Sequence, residues 1–366
     1  MRRSSFDKWL VTLALVTVIA GAVWHFVNSN RVVYDQKQKQ TGTEAPSFGS
    51  EDFHPYYVSS VPRPTNGQPE REIGFEKLPS AKVEAWLTKH YRDAMSLLTA
   101  FRALDDTNYL NEAATNFPNN PQVELAVLAH DEFPADRRKW LDLFKASSPG
   151  NSLANYLSAQ DYFETGNTGA AVQELLAASG KSQFNAFNTE NMLDSEDLYS
   201  SSGDSPGKAA TSAIADMANE DLPELATFKR LAQGIRDAQQ QYLNSSDAGS
   251  TANLAQMGMQ FGNQIESGDS GKYLINQLVG IAVQSIMLHQ LNPDTSYDFL
   301  GDKTPNQMIQ ELGQYKMSLV QPVESFDAVR PSMSDDEIAN YYERWKIYGE
   351  TEAMRWAIQQ HPPSNP

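Results

Sequence analysis

Gly268-Asp269-Ser270-Gly271 sets a serine beside an acid between two glycines, part of the pattern that presents a nucleophilic serine. That chemistry also needs a histidine base and an orienting acid on a β scaffold, and the chain predicts neither. The four residues separate two helical stripes, where Asp269 or Ser270 is expected to cap the following helix. Histidines stand at 25, 54, 90, 130, 289 and 361, with no two spaced as a metal pair on one helical face. His130-Asp131 comes nearest to a proton-transfer couple, but a histidine at a helix end more simply meets the terminal carbonyls. H-E-x-x-H, P-loop and dinucleotide glycine patterns are all missing from the sequence. Without any cysteine, thiolate nucleophiles, thiolate metal sites and disulfides are excluded. No catalytic, cofactor-binding or metal-ligating residue is therefore assigned.

The elements that would carry any site begin with an apolar run. Trp9 to Val27 holds 19 residues with no acid, lysine or arginine. As a helix it would span roughly 28 Å, about the hydrocarbon thickness of a bilayer. Arg2, Arg3 and Lys8 precede it, which keeps the short tail cytoplasmic and sends the body across. Residues 1–27 are thus expected to form a tail and membrane anchor, with the body on the periplasmic side of a bacterial inner membrane. Ala20-Gly21-Ala22 also resembles a signal-peptidase site, and cleavage near Ala22 would make the body a secreted protein. Residues 28–79 carry prolines at 46, 55, 62, 64, 69 and 79 and a QKQKQ run, a composition that predicts an extended stalk.

Beyond Pro79 apolar residues recur at helical spacing and no stretch alternates as a strand does. The fold class is all-α, with eleven or twelve helices over some 285 residues expected from the pattern. Val83, Trp86, Leu87, Ala94, Leu97, Leu98 and Phe101 form one stripe after a cap at Ser80; Ser205-Pro206, Thr304-Pro305 with Gln307, and Ser334 with Glu337 mark later starts. The spacing predicts helices at 190–201, 206–219, 222–243, 251–267, 271–291, 305–319 and 335–360. Helix 273–291 has no charged residue, yet its amides and His289 favour burial in protein over a second membrane span. Gly258 and Gly262 are expected to let two helices approach closely.

Helices between 80 and 180 come in pairs, opened at Asn119-Asn120-Pro121 and again at Pro149-Gly150-Asn151. The stretch 149–178 resembles a tetratricopeptide repeat: Ala159 and Tyr162 stand at the small and aromatic positions of its first helix, Gly166 at the turn, and Ala171 and Ala178 at the alanines of its second. It departs from the pattern at Asn155, Ser158 and Gln183, where Trp, Leu and a closing Pro are usual. The resemblance implies hairpins that bind peptide or protein on one face, and it puts Asn155, Tyr162 and the polar face of helix 152–165 forward as contacts. Residues 181–366 are expected to pack on the repeats as an irregular helical region. Its last helix carries Ile338, Tyr341, Tyr342, Trp345, Tyr348 and Trp356 near one face, either as core or as a docking stripe in which Tyr341 and Trp345 would be the anchors.

The formal charge of −17 and the lack of a basic cluster argue against a nucleic-acid partner. The expected function is a membrane-anchored scaffold for a protein or peptide partner in the cell envelope, without a cofactor. The alternative is an envelope hydrolase using carboxylates brought together from different helices.

Overall fold

The computed structural model describes residues 78–362. The expected anchor at residues 9–27, the cleavage site near Ala22 and the stalk at 28–77 lie outside the described residues. Among those described, every regular element is helical, as the hydrophobic periodicity predicts, and two isolated bridge pairs are the nearest approach to a strand. No described helix is long and apolar enough to cross a membrane.

The first stripe is not one helix. It divides into α1 (Ser80–Lys89) and α2 (Ala94–Leu104), with Tyr91 and Arg92 at positive φ between them. Arg92 is held in that turn by Glu112 and Glu84, and the Asp93 carboxylate caps α2 by accepting from the Ser96 N–H. Ser80 is already helical, and Pro79 occupies the cap position without a side-chain bond.

Three hairpins follow: α2 with α3 (Thr107–Asn116), α4 (Pro121–Ala129) with α5 (Arg137–Ser147), and α6 (Leu153–Glu164) with α7 (Thr168–Ser179). In the third, Ala159, Ala171, Leu175 and Ala178 are completely buried and Gly166 makes the turn at φ 75°. Small side chains let α6 and α7 come together, and a residue with a Cβ would be strained at Gly166. Segment 181–187 then turns back along the start of the same hairpin: Gln183 O accepts from Ser152 N, and Asn151 brackets the main chain of Asn185.

α8 (Asn188–Ser201) leads into α9 (Pro206–Asn244), a 39-residue helix that runs unbroken through Pro223, where two helices are predicted. An internal proline removes one backbone bond. Tertiary contacts offset it, because the early part of α9 packs on α8 and α13 and its later part on α6 and α10. α9 lies against the first helix of every hairpin, α2, α4 and α6. Tyr156, Phe184, Phe228 and Phe261 meet edge-on or tilted with ring centroids 4.4 to 6.2 Å apart, so the core continues from the hairpins into α9 and α10 (Ala248–Ile265).

α11 (Leu274–Leu288), the uncharged helix, is buried among α9, α10 and α12 (Pro305–Val329). Its amides find protein partners: Asn276 and Gln277 donate to Ser270 O and Gly271 O, and Gln284 to Glu266. A Cβ on Gly262 would stand 2.7 Å from Gly280 O, and one on Gly258 2.3 Å from the Met287 sulfur, which accounts for both glycines as a close crossing of α10 and α11. The last predicted helix is two, α13 (Asp335–Tyr348) and α14 (Glu350–Gln360), broken at Gly349 (φ 90°, ψ 160°), backbone that glycine alone adopts without strain.

Candidate functional site

The four residues put forward from sequence are placed as follows. Asn155 is buried, and its Nδ2 donates to Glu174 Oε2 at 2.6 Å. Ser158 donates to Oε1 of the same carboxylate at 3.0 Å, and Lys145 of α5 does so at 2.8 Å. Both departures from the repeat pattern on α6 thus serve one glutamate on α7, and the lysine ties in the preceding hairpin. Burial by itself would raise the Glu174 carboxyl; the donors Lys145, Asn155 and Ser158 outweigh it and hold the group below the ordinary carboxylate range. Tyr162 is half-buried with the Arg138 guanidinium 4.1 Å from its ring centre, and Arg138 is paired with Asp161. Tyr341 and Trp345 are buried in an aromatic stack with Phe326, Tyr342 and Tyr273. Gly349 ends the helix, so Tyr348 stays 60 % exposed while the same-face Trp356 belongs to α14; Arg344 lies about equally close to both rings.

Asp269 does cap a helix, but a distant one. Its carboxylate accepts from the N–H and the hydroxyl of Thr189 at the start of α8, while Ser270 is buried in a single 3-10 turn. Two further acids act in the same way: Asp335 of α13 accepts from Ser205 Oγ and Gly207 N at the start of α9, and Glu350 of α14 accepts from Leu274 N at the start of α11. Carboxylates from distant chain positions satisfy orphan N–H groups and complement the helix dipole. Burial pushes the Glu350 carboxyl up to about 7, against the Leu274 N–H and Arg330, which favour its charge. His130 and Asp131 do not form a couple: the imidazole packs edge-on against Phe101 at 4.7 Å and Asp131 turns out at φ 50°.

What the structure assembles instead is a small cleft between α2, α4 and the start of α8. Leu98, Leu125, Ala126, Ala129, Ala186 and Phe187 form its apolar walls. Arg102, Gln122, His130, Asn188 and Asn191 supply the polar groups. Gln122 Oε1 and Asn191 Oδ1 are buried without a hydrogen-bond partner in the protein. Asn188 is only 4 % exposed and lines the cleft beside them. Leaving a buried acceptor such as Gln122 Oε1 or Asn191 Oδ1 unmet costs about 1–3 kcal/mol. Phe187, at the rim, is a non-glycine residue at φ 61°, a conformation costing roughly 1–3 kcal/mol. The segment holding it is fixed by Asn151 on one side and by the Asp269 cap on the other. No carboxylate lines the cleft.

Sequence reasoning missed this cleft because three amides 66 and 69 residues apart carry no motif. Among the described residues no group of three His, Asp or Glu is placed to hold a metal ion. No protein-family model, curated protein or solved structure matches the chain.

Proposed function

We propose that the chain is a membrane-anchored scaffold of the cell envelope whose helical body, with TPR-like hairpins, binds a protein or peptide partner. The observation that carries this reading is the cleft: an apolar lining edged by two buried amide oxygens, of Gln122 and Asn191, that find no partner in their own protein. Unmet, desolvated polar groups in a concave site are what recognition of a complementary chain uses. The anchor rests on the apolar run 9–27 and the basic residues before it. The likeness to tetratricopeptide repeats is supported by the packing of Ala159, Ala171 and Ala178 and by the Gly166 turn.

The contacts are placed at the cleft rather than at Asn155, Tyr341 or Trp345, which are buried in the interior, Asn155 against Glu174 and the two aromatics against each other. α9 lies along the first helices of the hairpins, the face on which repeat proteins take ligands, so the contacts are placed at the cleft beside the start of α8. A hydrolase would need two carboxylates converging on a cleft, and this lining offers none.

The test is fractionation of cells expressing the full-length chain, with intact N-terminal mass, protease accessibility from outside, and photocrosslinking from position 122. An uncleaved membrane-bound chain, digested from outside and crosslinked to a discrete envelope protein, is expected. A cytosolic chain, or one that yields no crosslink from position 122 under any growth condition, refutes the reading.

A further inference from the structure

We propose that the cleft between α2, α4 and α8 binds a neutral amide group presented by a polypeptide, and that Gln122, Asn188 and Asn191 are the residues that read it. This rests on the scaffold reading and names the ligand chemistry of its site.

Three observations converge on an amide. First, three of the five polar side chains at the site are carboxamides, each with an acceptor oxygen and N–H donors. Gln122 and Asn191 have buried acceptor oxygens that nothing in the protein answers, and Asn188 lines the same cleft. A ligand must therefore donate N–H groups to these oxygens, and a group that also accepts uses the paired N–H donors; an amide does both.

Second, the two buried acceptor oxygens disfavour an ion of either sign beside Arg102. Arg102 donates to Thr99 Oγ1 at 3.1 Å, and no carboxylate enters the lining. A carboxylate ligand would set its own oxygens against those of Gln122 and Asn191, and an ammonium ligand would meet Arg102 with no counter-charge in the lining.

Third, the protein already makes this pairing a short distance away. Asn151, 1 % exposed, donates from Nδ2 to Asn185 O at 2.8 Å and accepts at Oδ1 from Asn185 N at 3.0 Å, reading one residue's main chain from both sides. The segment so fixed continues through Ala186 and Phe187 into the cleft wall. Ala126 and Ala129 contribute small apolar side chains to the lining.

The amide has two possible sources in a partner, its main chain or an asparagine or glutamine side chain. The full-length chain, methyl-labelled in detergent micelles, is titrated with N-acetylglycine N-methylamide, acetamide and sodium acetate while the methyl resonances of Leu98, Leu125, Ala126 and Ala129 are followed. Saturable shifts with at least one amide are expected, at concentrations at least tenfold below any effect of acetate. Tighter binding of the N-methylamide assigns the main chain, and tighter binding of acetamide assigns a side chain. Gln122→Leu with Asn191→Leu is expected to weaken the amide at least tenfold without lowering the thermal midpoint, since unmet acceptors are removed. Ala126→Leu, which adds bulk to the lining and keeps all three amides, is expected to abolish the shifts as well. Absence of saturable shifts with both amides would make the free acceptors hydration sites and overturn the proposal, as would equal binding of acetate. Crosslinking of an envelope partner that is unaffected by these variants would keep the scaffold reading and overturn the cleft's role. Amide binding without any crosslinked partner would uphold the site and remove the scaffold.

Discussion

Replacing Glu174 by alanine is the sharpest test of how the hairpins are held together. Its carboxylate takes three donors, Asn155, Ser158 and Lys145, from two other helices, and its side chain is only 14 % exposed. Removing one member of a buried charged pair costs about 3–5 kcal/mol, because the other is left desolvated and unpaired. Lys145 is 23 % exposed and retains Asp142 at 3.2 Å, which places the expected loss near the lower end, about 3 kcal/mol. For a body of this size that is a fall of roughly 6–12 °C in thermal midpoint. The assay is urea unfolding of the full-length chain in micelles, followed by far-ultraviolet circular dichroism, with a parallel thermal scan. A quadruple variant, Glu174→Leu with Asn155→Leu, Ser158→Ala and Lys145→Met, replaces the whole polar set by apolar groups and is expected to recover to within about 1 kcal/mol of wild type. The deficit of Glu174→Ala must also depend on pH. Glu174's folded-state pKa is depressed, so its contribution is full above the ordinary carboxyl range and is lost as pH falls through the lower folded value. A loss under about 1 kcal/mol at pH 7, or a quadruple variant no better than the single one, would refute the claim that these three polar residues act through one carboxylate.

Three further outcomes follow from the same geometry. Burial lifts the carboxyls of Glu266 and Glu350 to about 7 and raises Glu124, so the folded state holds more protons than the unfolded chain between about pH 4.5 and 7; the urea midpoint is expected to rise on acidification from pH 8 to 6, and Glu266→Gln with Glu350→Gln should flatten that slope. Gly262→Ala would drive a methyl into Gly280 O and Gln284 Cγ, forcing α10 and α11 apart at a cost of at least about 2 kcal/mol, measurable as a lowered midpoint. Asp335→Ala removes the carboxylate that caps α9 from α13 and is expected to cost about 1 kcal/mol, with faster amide exchange confined to the first turn of α9; unchanged exchange there would count against the cap.

Helix type and many helix starts were written locally. Thr304 with Gln307 and Ser334 with Glu337 are caps whose donors and acceptors lie within three residues of each other, and both form as the sequence predicts; Asn120 caps the helix opening at Pro121 in the same local way. Breaks were harder to read. A continuous apolar stripe hid the turn at Tyr91 and Arg92, because what stabilises it is Arg92 reaching Glu112, twenty residues on. Pro223 and Pro322 signalled ends that do not occur, since packing on both sides of each proline outweighs one lost backbone bond.

The candidate site was less legible than the fold for the same reason. Asn155 was recognised as an exception to a repeat pattern, yet whether an exceptional asparagine faces a partner or an internal glutamate depends on where Glu174 falls across the hairpin. Gln122, Asn188 and Asn191 gave no signal at all, because an amide has no preferred spacing and its significance lies in having no neighbour to bond. What the sequence by itself determined was a helical body, its capped starts, its glycine crossing and the charge and chemistry it excludes, since each depends on residues within a few turns of one another. Tertiary structure alone decided that α9 lies along the first helices of the hairpins, that acids at 269, 335 and 350 cap helices far from them in the chain, and that two buried amide oxygens stand unmet around one cleft. Those are long-range satisfactions and failures of hydrogen bonding, fixed only when the chain has closed on itself.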